Sequence, residues 1–363
     1  MLWMQVLWFS AGLAALVAGA SSLVRGASKL ALSLGISPLV VGLTIVAFGT
    51  SAPEMAVSTG AVLDGKGDIA VGNVVGSNIF NVLFILGASA LIVPLVVHVQ
   101  LIRQEIPIML GASLLLLVLA LDGGIQAWEG GLLLALLLAY TAFLVIQSRR
   151  QNAQAASEFD EELRPAAPGA WDAHWAAQVG LIVVGLALLV VGSDWLVDAS
   201  VAFARAFGIS DVVIGLTIVA AGTSMPEVAT SITAALKGER DIAVGNVVGS
   251  NTFNILGCVG LSGLVAGSGG LAVAPAVLNF DMWVMLAVAL ACLPVFVTGR
   301  EIARWEGAVF LGYYLAYVTY LLLAAQQHTA LQAFSSAMIG FVIPLTIVTL
   351  VVVWLRQPGQ TPD

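Results

Sequence analysis

The sequence predicts an all-α integral membrane protein of about eleven transmembrane helices, built as two inverted-topology five-helix repeats plus one C-terminal helix. Three observations carry that prediction. The first is composition: 60 % of the 363 residues are apolar, 9 % are charged, and mean hydropathy is +1.03. A soluble globule carries about 25 % charged residues, so this chain cannot cover itself with polar surface and its solvent must be lipid. The second is a series of apolar runs of roughly 20 residues, the length that crosses a bilayer as a helix. The third is a long internal repeat at constant offset.

The runs fall near 3–24, 38–63, 69–93, 106–121, 127–147, 176–197, 212–236, 242–266, 281–298, 302–324 and 332–355. The first could be a signal peptide, since Ala18-Gly19-Ala20 resembles a cleavage site. No Lys or Arg precedes it, however, and it has a partner later in the chain, so it is read as a span. With the N-terminus outside, alternate loops place Arg25, Lys29, Arg103, Arg149, Arg150, Arg164, Lys237, Arg240, Arg300, Arg304 and Arg356 inside, and only Lys66 and Arg205 outside. That bias orients the chain with a cytoplasmic C-terminus. Residues 149–174 are polar, with an acidic cluster at Glu158, Asp160, Glu161 and Glu162, and read as a cytoplasmic linker. The expected organisation is a first repeat over 1–148, the linker, a second repeat over 175–325, and an additional helix and tail over 326–363.

Several functions are excluded early. Thirteen Lys and Arg face 21 Asp and Glu with no basic patch, which argues against nucleic acid. Cys258 and Cys292 sit in apolar runs, and His98, His174 and His328 are scattered, so neither a disulfide framework nor a zinc site is expected. No HExxH or GxSxG motif suggests a membrane enzyme.

Residues 34–87 align without a break to 207–260, at an offset of 173, with roughly two-thirds of the 54 positions identical. VGLTIVAFGTSAPE (41–54) meets IGLTIVAAGTSMPE (214–227), and DIAVGNVVGSNIFN (68–81) meets DIAVGNVVGSNTFN (241–254). LAALVAG (13–19) against LALLVVG (186–192) ties the first span to the sixth. An offset of five spans is odd, so the second copy enters from the opposite side. Inverted repeats of this kind recur in secondary transporters, with the site near the midplane where the repeats meet. Channels are also built from repeats, so the inversion favours a transporter without proving one.

Glu54 and Glu227 occupy equivalent positions and read as the only acids well inside the spans. A charge at the bilayer centre costs about 2.5–3.5 kcal/mol on insertion scales, so two at matched positions point to an ion or proton pathway. Each follows a proline, and Pro53 and Pro226 have no N–H for the carbonyls of Gly49 and Gly222. Backbone oxygens around 48–50 and 221–223 are therefore expected to be free at membrane depth, where a protein cavity or a cation must satisfy them. Thr50, Ser51, Thr223 and Ser224 add hydroxyls. Ser77 with Asn81, and Ser250 with Asn254, lie four apart on one helix face; Asn78 and Asn251 point off it and are expected to hold the helix break together. All-oxygen sets suit hard cations such as Ca²⁺ and Na⁺. One Ca²⁺, two monovalent cations or two protons each neutralise two glutamates, which is what mutually exclusive occupancy needs.

GTSAPE and GTSMPE, each followed by GNVVGSNxFN, resemble the α-repeats of the calcium/cation antiporter superfamily, in its prokaryotic sodium/calcium exchanger branch. The resemblance covers both repeats and ten spans; the eleventh lies outside the family's usual ten. It implies that Glu54 and Glu227 take Ca²⁺ through carboxylates and that Thr50 and Thr223 add carbonyl oxygens. Ser51, Ser224, Ser77 and Ser250, with backbone at Ala47 and Ala220, would serve sodium, and Asn81 and Asn254 complete the set. Well-known exchangers carry Asp where this chain has Asn254, which leaves one ionisable group fewer and opens the stoichiometry. Spans two, three, seven and eight would form the ion core, with spans one and six sliding across it. The expected activity is export of Ca²⁺ in exchange for Na⁺ by alternating access. Ca²⁺/H⁺ exchange is the alternative within transporters, and a cation channel the alternative from another class. Membrane lipid and small cations are the expected partners; no cofactor and no obligate protein partner are expected.

Overall fold

The structure of the protein, a computed structural model, describes residues 2–158, 172, 174–208, 211–214, 217–218 and 220–355. Helices dominate because a backbone surrounded by hydrocarbon must satisfy its own N–H and C=O groups. In chain order they are α1 (Leu2–Leu34), α2 (Pro38–Thr50), α3 (Ala52–Leu63), α4 (Gly67–Ile92), α5 (Leu101–Asp122), α6 (Ala127–Glu158), α7 (Trp175–Ala206), α8 (Met225–Leu236), α9 (Arg240–Gly269), α10 (Val277–Val297), α11 (Arg304–Ala325) and α12 (Ala330–Val353). Among the described residues nine helices are long and apolar enough to cross a membrane. The pair α2–α3, bent by 42° at Ser51, makes a tenth if it is one broken span. The expected seventh span, 212–236, falls partly outside the described residues; α8 is its second half.

Several boundaries differ from the hydropathy reading. α1 and α7 run about ten residues past the apolar runs, and because they pack antiparallel the end of each lies against the start of the other: Ser33 Oγ donates to Gln178 Oε1 at 2.8 Å, and Phe203 meets Phe9. α6 continues to Glu158, so the first part of the expected linker is helical; Asp160, Glu161 and Glu162 lie outside the described residues. α5 begins at Leu101 rather than 106. Glu105 is thereby a fully buried acid inside a span, and Asp281, partly buried, is a further acid inside α10. Glu54 and Glu227 are therefore not the only intramembrane acids. Glu105 is bonded by Tyr140 Oη at 2.7 Å and by Gln100 and Gln104, and Asp281 by Tyr317 Oη at 2.8 Å. Hydrogen bonding of this kind makes a buried acid tolerable away from any ion site.

The centre of the bundle is α4 and α9, in which 72 % and 61 % of the apolar window is buried, against none of α12. α1 and α7 lie against one another along facing glycines. A Cβ on Gly19 would stand 2.8 Å from Gly185 O, and one on Gly192 would stand 2.9 Å from Gly12 O. Small residues of this sort let two backbones approach in a membrane. Trp8 against Trp195 and Phe9 against Phe203 continue the seam.

Two short antiparallel pairs tie the ends of the bundle. β1 (Leu95–Val96) pairs with β4 (Glu301–Ile302), and β2 (Gly124–Ile125) pairs with β3 (Leu271–Ala272). Trp128-Glu129-Gly130 and Trp305-Glu306-Gly307 are a second repeated element, opening α6 and α11. Each glutamate accepts a hydrogen bond from the backbone N–H three residues before it: Gln126 at 2.7 Å and Ala303 at 2.8 Å. These are N-terminal helix caps.

Candidate ion-binding site

The site forms where the two helix breaks meet α4 and α9. Ser51 and Ser224 leave helical geometry at φ −80°, ψ 2° and φ −88°, ψ 8°. Pro53 and Pro226, at the second position of the following helices, cannot donate to the preceding turn, so both helices break there. The break places each glutamate in the first turn of a new helix, in the favourable field of its N-terminus.

Both glutamates are completely buried. Each is held by a serine of the other repeat: Ser224 Oγ donates to Glu54 Oε1 at 2.8 Å, and Ser51 Oγ donates to Glu227 Oε1 at 3.3 Å. The second oxygens, Glu54 Oε2 and Glu227 Oε2, find no hydrogen-bond partner. Neither do Ser77 Oγ, Asn81 Oδ1 and Thr223 Oγ1. Leaving a buried acceptor unpaired costs about 1–3 kcal/mol, and more for a charged group. All five oxygens belong to residues of the predicted set, and oxygen donors are what a hard cation takes.

The remaining predicted residues are engaged within the protein. Thr50 Oγ1 donates to Asn246 Oδ1 at 3.0 Å and stands 3.4 Å from Ser250 Oγ. Ala47 O accepts Ser51 N–H at 3.0 Å, and Thr50 Oγ1 at 3.4 Å. Ala220 opens the helical turn Ala220–Gly222; its side chain lies outside the described residues. Asn254 Nδ2 donates to Asn78 Oδ1 at 3.1 Å, and Asn81 Nδ2 donates to Asn251 Oδ1 at 3.0 Å. Asn78 and Asn251 bridge α4 to α9: each donates to the other's backbone carbonyl, at 3.2 and 3.3 Å. They thus join the two halves rather than brace a break within one.

Four residues of the site's surroundings escaped the sequence reading. Ser193 Oγ on α7 donates to Gly222 O at 2.7 Å, so that carbonyl, expected to be free behind Pro226, is taken. The equivalent residue at offset 173 is Ala20, which cannot donate; the missing equivalence hid the contact. Asn73 and Asn246 donate to Ser58 and Ser231 at 3.1 and 2.9 Å. They lie inside the repeated motif, one turn before Ser77 and Ser250, and that spacing was the available signal. Cys258 Sγ, also buried, stands 3.6 Å from Asn254 Oδ1 and 4.0 Å from Ser51 O. Among the described residues no group of three or more His, Cys, Asp and Glu could hold a metal, so any ion here relies on neutral oxygens besides the two carboxylates.

Comparison with known proteins agrees with this chemistry. The sodium/calcium exchanger protein family matches residues 4–146 and 177–323. CaxA of Alkalimonas amylolytica is 40 % identical over 319 residues, covering 86 % of this chain and 97 % of CaxA. The sodium/calcium exchanger MaX1 of Methanosarcina acetivorans is 36 % identical over 339 residues, covering 85 % of this chain and 96 % of MaX1. A solved structure of the sodium-calcium exchanger NCX_Mj superposes with a TM-score of 0.73 at 30 % identity, covering 88 % of this chain and 99 % of that one.

Proposed function

The chain belongs to the sodium/calcium exchanger family, and from that premise we propose that it exports Ca²⁺ across the inner membrane in exchange for Na⁺ by alternating access. The observation that carries this reading is the pair of buried glutamates, each bonded at one oxygen by the opposite repeat and open at the other. Two carboxylates are neutralised by one Ca²⁺ or by two Na⁺, so filling with one ion displaces the other. Glu54 and Glu227 would take Ca²⁺. Thr50, Thr223, Ser51, Ser224, Ser77, Ser250 and Asn81, with backbone at Ala47 and Ala220, would supply the neutral oxygens that Ca²⁺ and Na⁺ both need and a proton does not. Asn254 flanks this set.

The strand pairs support the eleven-span, inverted arrangement. A two-residue ladder cannot straddle a bilayer, so paired strands lie on one side and an even number of crossings separates them. Between β2 and β3 lie α6, α7 and α9. The count becomes even only if 211–236 also crosses. Between β1 and β4 the same crossing brings the count to six. The second copy then enters from the side opposite the first, with α1 and α7 as the sliding pair.

The test is Ca²⁺ uptake into proteoliposomes loaded with Na⁺, at equal pH on both sides and clamped potential. Uptake driven by the outward Na⁺ gradient is expected. Uptake that ignores Na⁺ and follows an imposed pH gradient overturns the choice of counter-ion in favour of H⁺; downhill flux without coupling to either ion makes the chain a channel.

A further inference from the structure

The four asparagines between α4 and α9 form a ladder whose orientation is determined. Asn78 Nδ2 points at Asn251 O and Asn251 Nδ2 at Asn78 O. A carbonyl only accepts, so both inner amides have their nitrogens fixed and their oxygens turned to the outer pair. Those oxygens accept from Asn254 Nδ2 and Asn81 Nδ2. Each outer amide therefore spends its nitrogen on the ladder and turns its oxygen away from it.

Here the halves part. Asn81 Oδ1 is buried and finds no partner. Asn254 Oδ1, equally buried, is met by the Cys258 thiol at 3.6 Å, four residues along the same helix. The thiol has one proton, and the Ser51 carbonyl, its other acceptor, is farther away at 4.0 Å. The residue equivalent to Cys258 in the first repeat is Ile85, which has no proton to give. Elsewhere in the set Ser77 and Thr223 are unpartnered, whereas Thr50 is bonded to Asn246 and lies beside Ser250, so the open hydroxyls come from both repeats.

We propose that Cys258 is a positioning residue that occupies the Asn254 amide oxygen, so that the ion site draws its amide ligand from Asn81 alone. The inference rests on the antiport reading and narrows it, removing Asn254 from the ligand set. A thiol is a weak donor. Removing it leaves the ladder intact, because Asn254 Nδ2 is still held by Asn78, and exposes one more neutral oxygen to a cation.

The experiment measures Na⁺ displacement of Ca²⁺ from the purified full-length protein at equilibrium, with folding checked by thermal melting. Cys258→Ala and Cys258→Val, which cannot donate, are expected to lower the Na⁺ concentration for half-displacement about fivefold, the worth of one hydrogen bond. Cys258→Ser, which keeps a donor, is expected to stay near the unmodified protein. In an Asn254→Ala background, Cys258→Ala is expected to produce no shift. If Ser and Ala behave alike, or the shift persists without Asn254, the proposal is overturned. If Na⁺ does not displace Ca²⁺ from the unmodified chain at all, the antiport reading fails and this inference with it; displacement without the variant pattern sinks the inference alone.

Discussion

At the scale of single residues the site is a pair of carboxylates cross-bonded by serines, and the two bonds differ in length. Glu54→Gln and Glu227→Gln are each expected to abolish Ca²⁺ uptake while leaving the fold intact, because an amide keeps the volume and the serine bond but not the charge. Near-normal flux through either well-folded variant would falsify the paired-carboxylate site. Ser224→Ala removes a 2.8 Å bond and Ser51→Ala one of 3.3 Å. Ser224→Ala is therefore expected to weaken Ca²⁺ affinity by about ten- to a hundredfold, as for a bond to a charged group, and Ser51→Ala by less. Equilibrium Ca²⁺ binding measures both; a larger loss at Ser51 would contradict the geometry. The glutamates and serines were legible because identical copies at offset 173 mark them twice. Ser193 and Cys258 were not, because their repeat partners, Ala20 and Ile85, have different chemistry and a comparison of copies discards them.

At the scale of elements the broken helices were readable from Pro53 and Pro226, since a proline at that position removes a backbone donor whatever surrounds it. The close approach of α1 and α7 is a property of two surfaces, and only the glycines hinted at it. Gly185 and Gly180 lie on the same helix and separate the effects. A Cβ on Gly185 would stand 2.7 Å from Leu23 N and 2.8 Å from Gly19 O, backbone atoms that cannot step aside. Gly180 has nothing within 4 Å. Gly185→Ala is expected to cost about 1–3 kcal/mol through overpacking and to slow exchange by prising the helices apart. Gly180→Ala is expected to be neutral or to stabilise by up to about 1 kcal/mol through helix propensity. Thermal melts with uptake on the same preparations check the pair, and equal behaviour of the two would remove the α1–α7 seam from the mechanism. The Trp-Glu-Gly element escaped notice because its copies stand 177 apart rather than 173, four residues out of step with the main repeat.

At the scale of the whole molecule, hydropathy located the spans, but not how loops from different halves join. Two-residue strands carry no periodicity that a sequence could display, and they supply the parity on which the topology turns. α12 stands apart. The family match ends at residue 323, α12 buries none of its apolar window, and the hydrogen bonds found between it and α11 run from Tyr313 to Val342 and Thr346. Truncation after Gln326 is accordingly expected to leave Ca²⁺ uptake within about twofold of the full chain, since it removes no residue of the predicted ion set and only peripheral packing on α10 and α11 and part-buried bonds to α11; loss of uptake in a stable truncated protein would give α12 a part in transport. The topology is tested independently of transport. In the proposed eleven-span arrangement the chain passes from the linker to residue 363 through α7, a crossing over 211–236, α9, α10, α11 and α12. That number is even, so reporters placed within 149–174 and at residue 363 are expected on the same side. The Lys and Arg bias makes that side the cytoplasm. Reporters on opposite sides would mean that one of these crossings, 211–236 or α12, is missing. A chain without the 211–236 crossing would also leave β2 and β3 on different faces of the membrane, where they could not pair, so the ladder is the reason to expect that crossing.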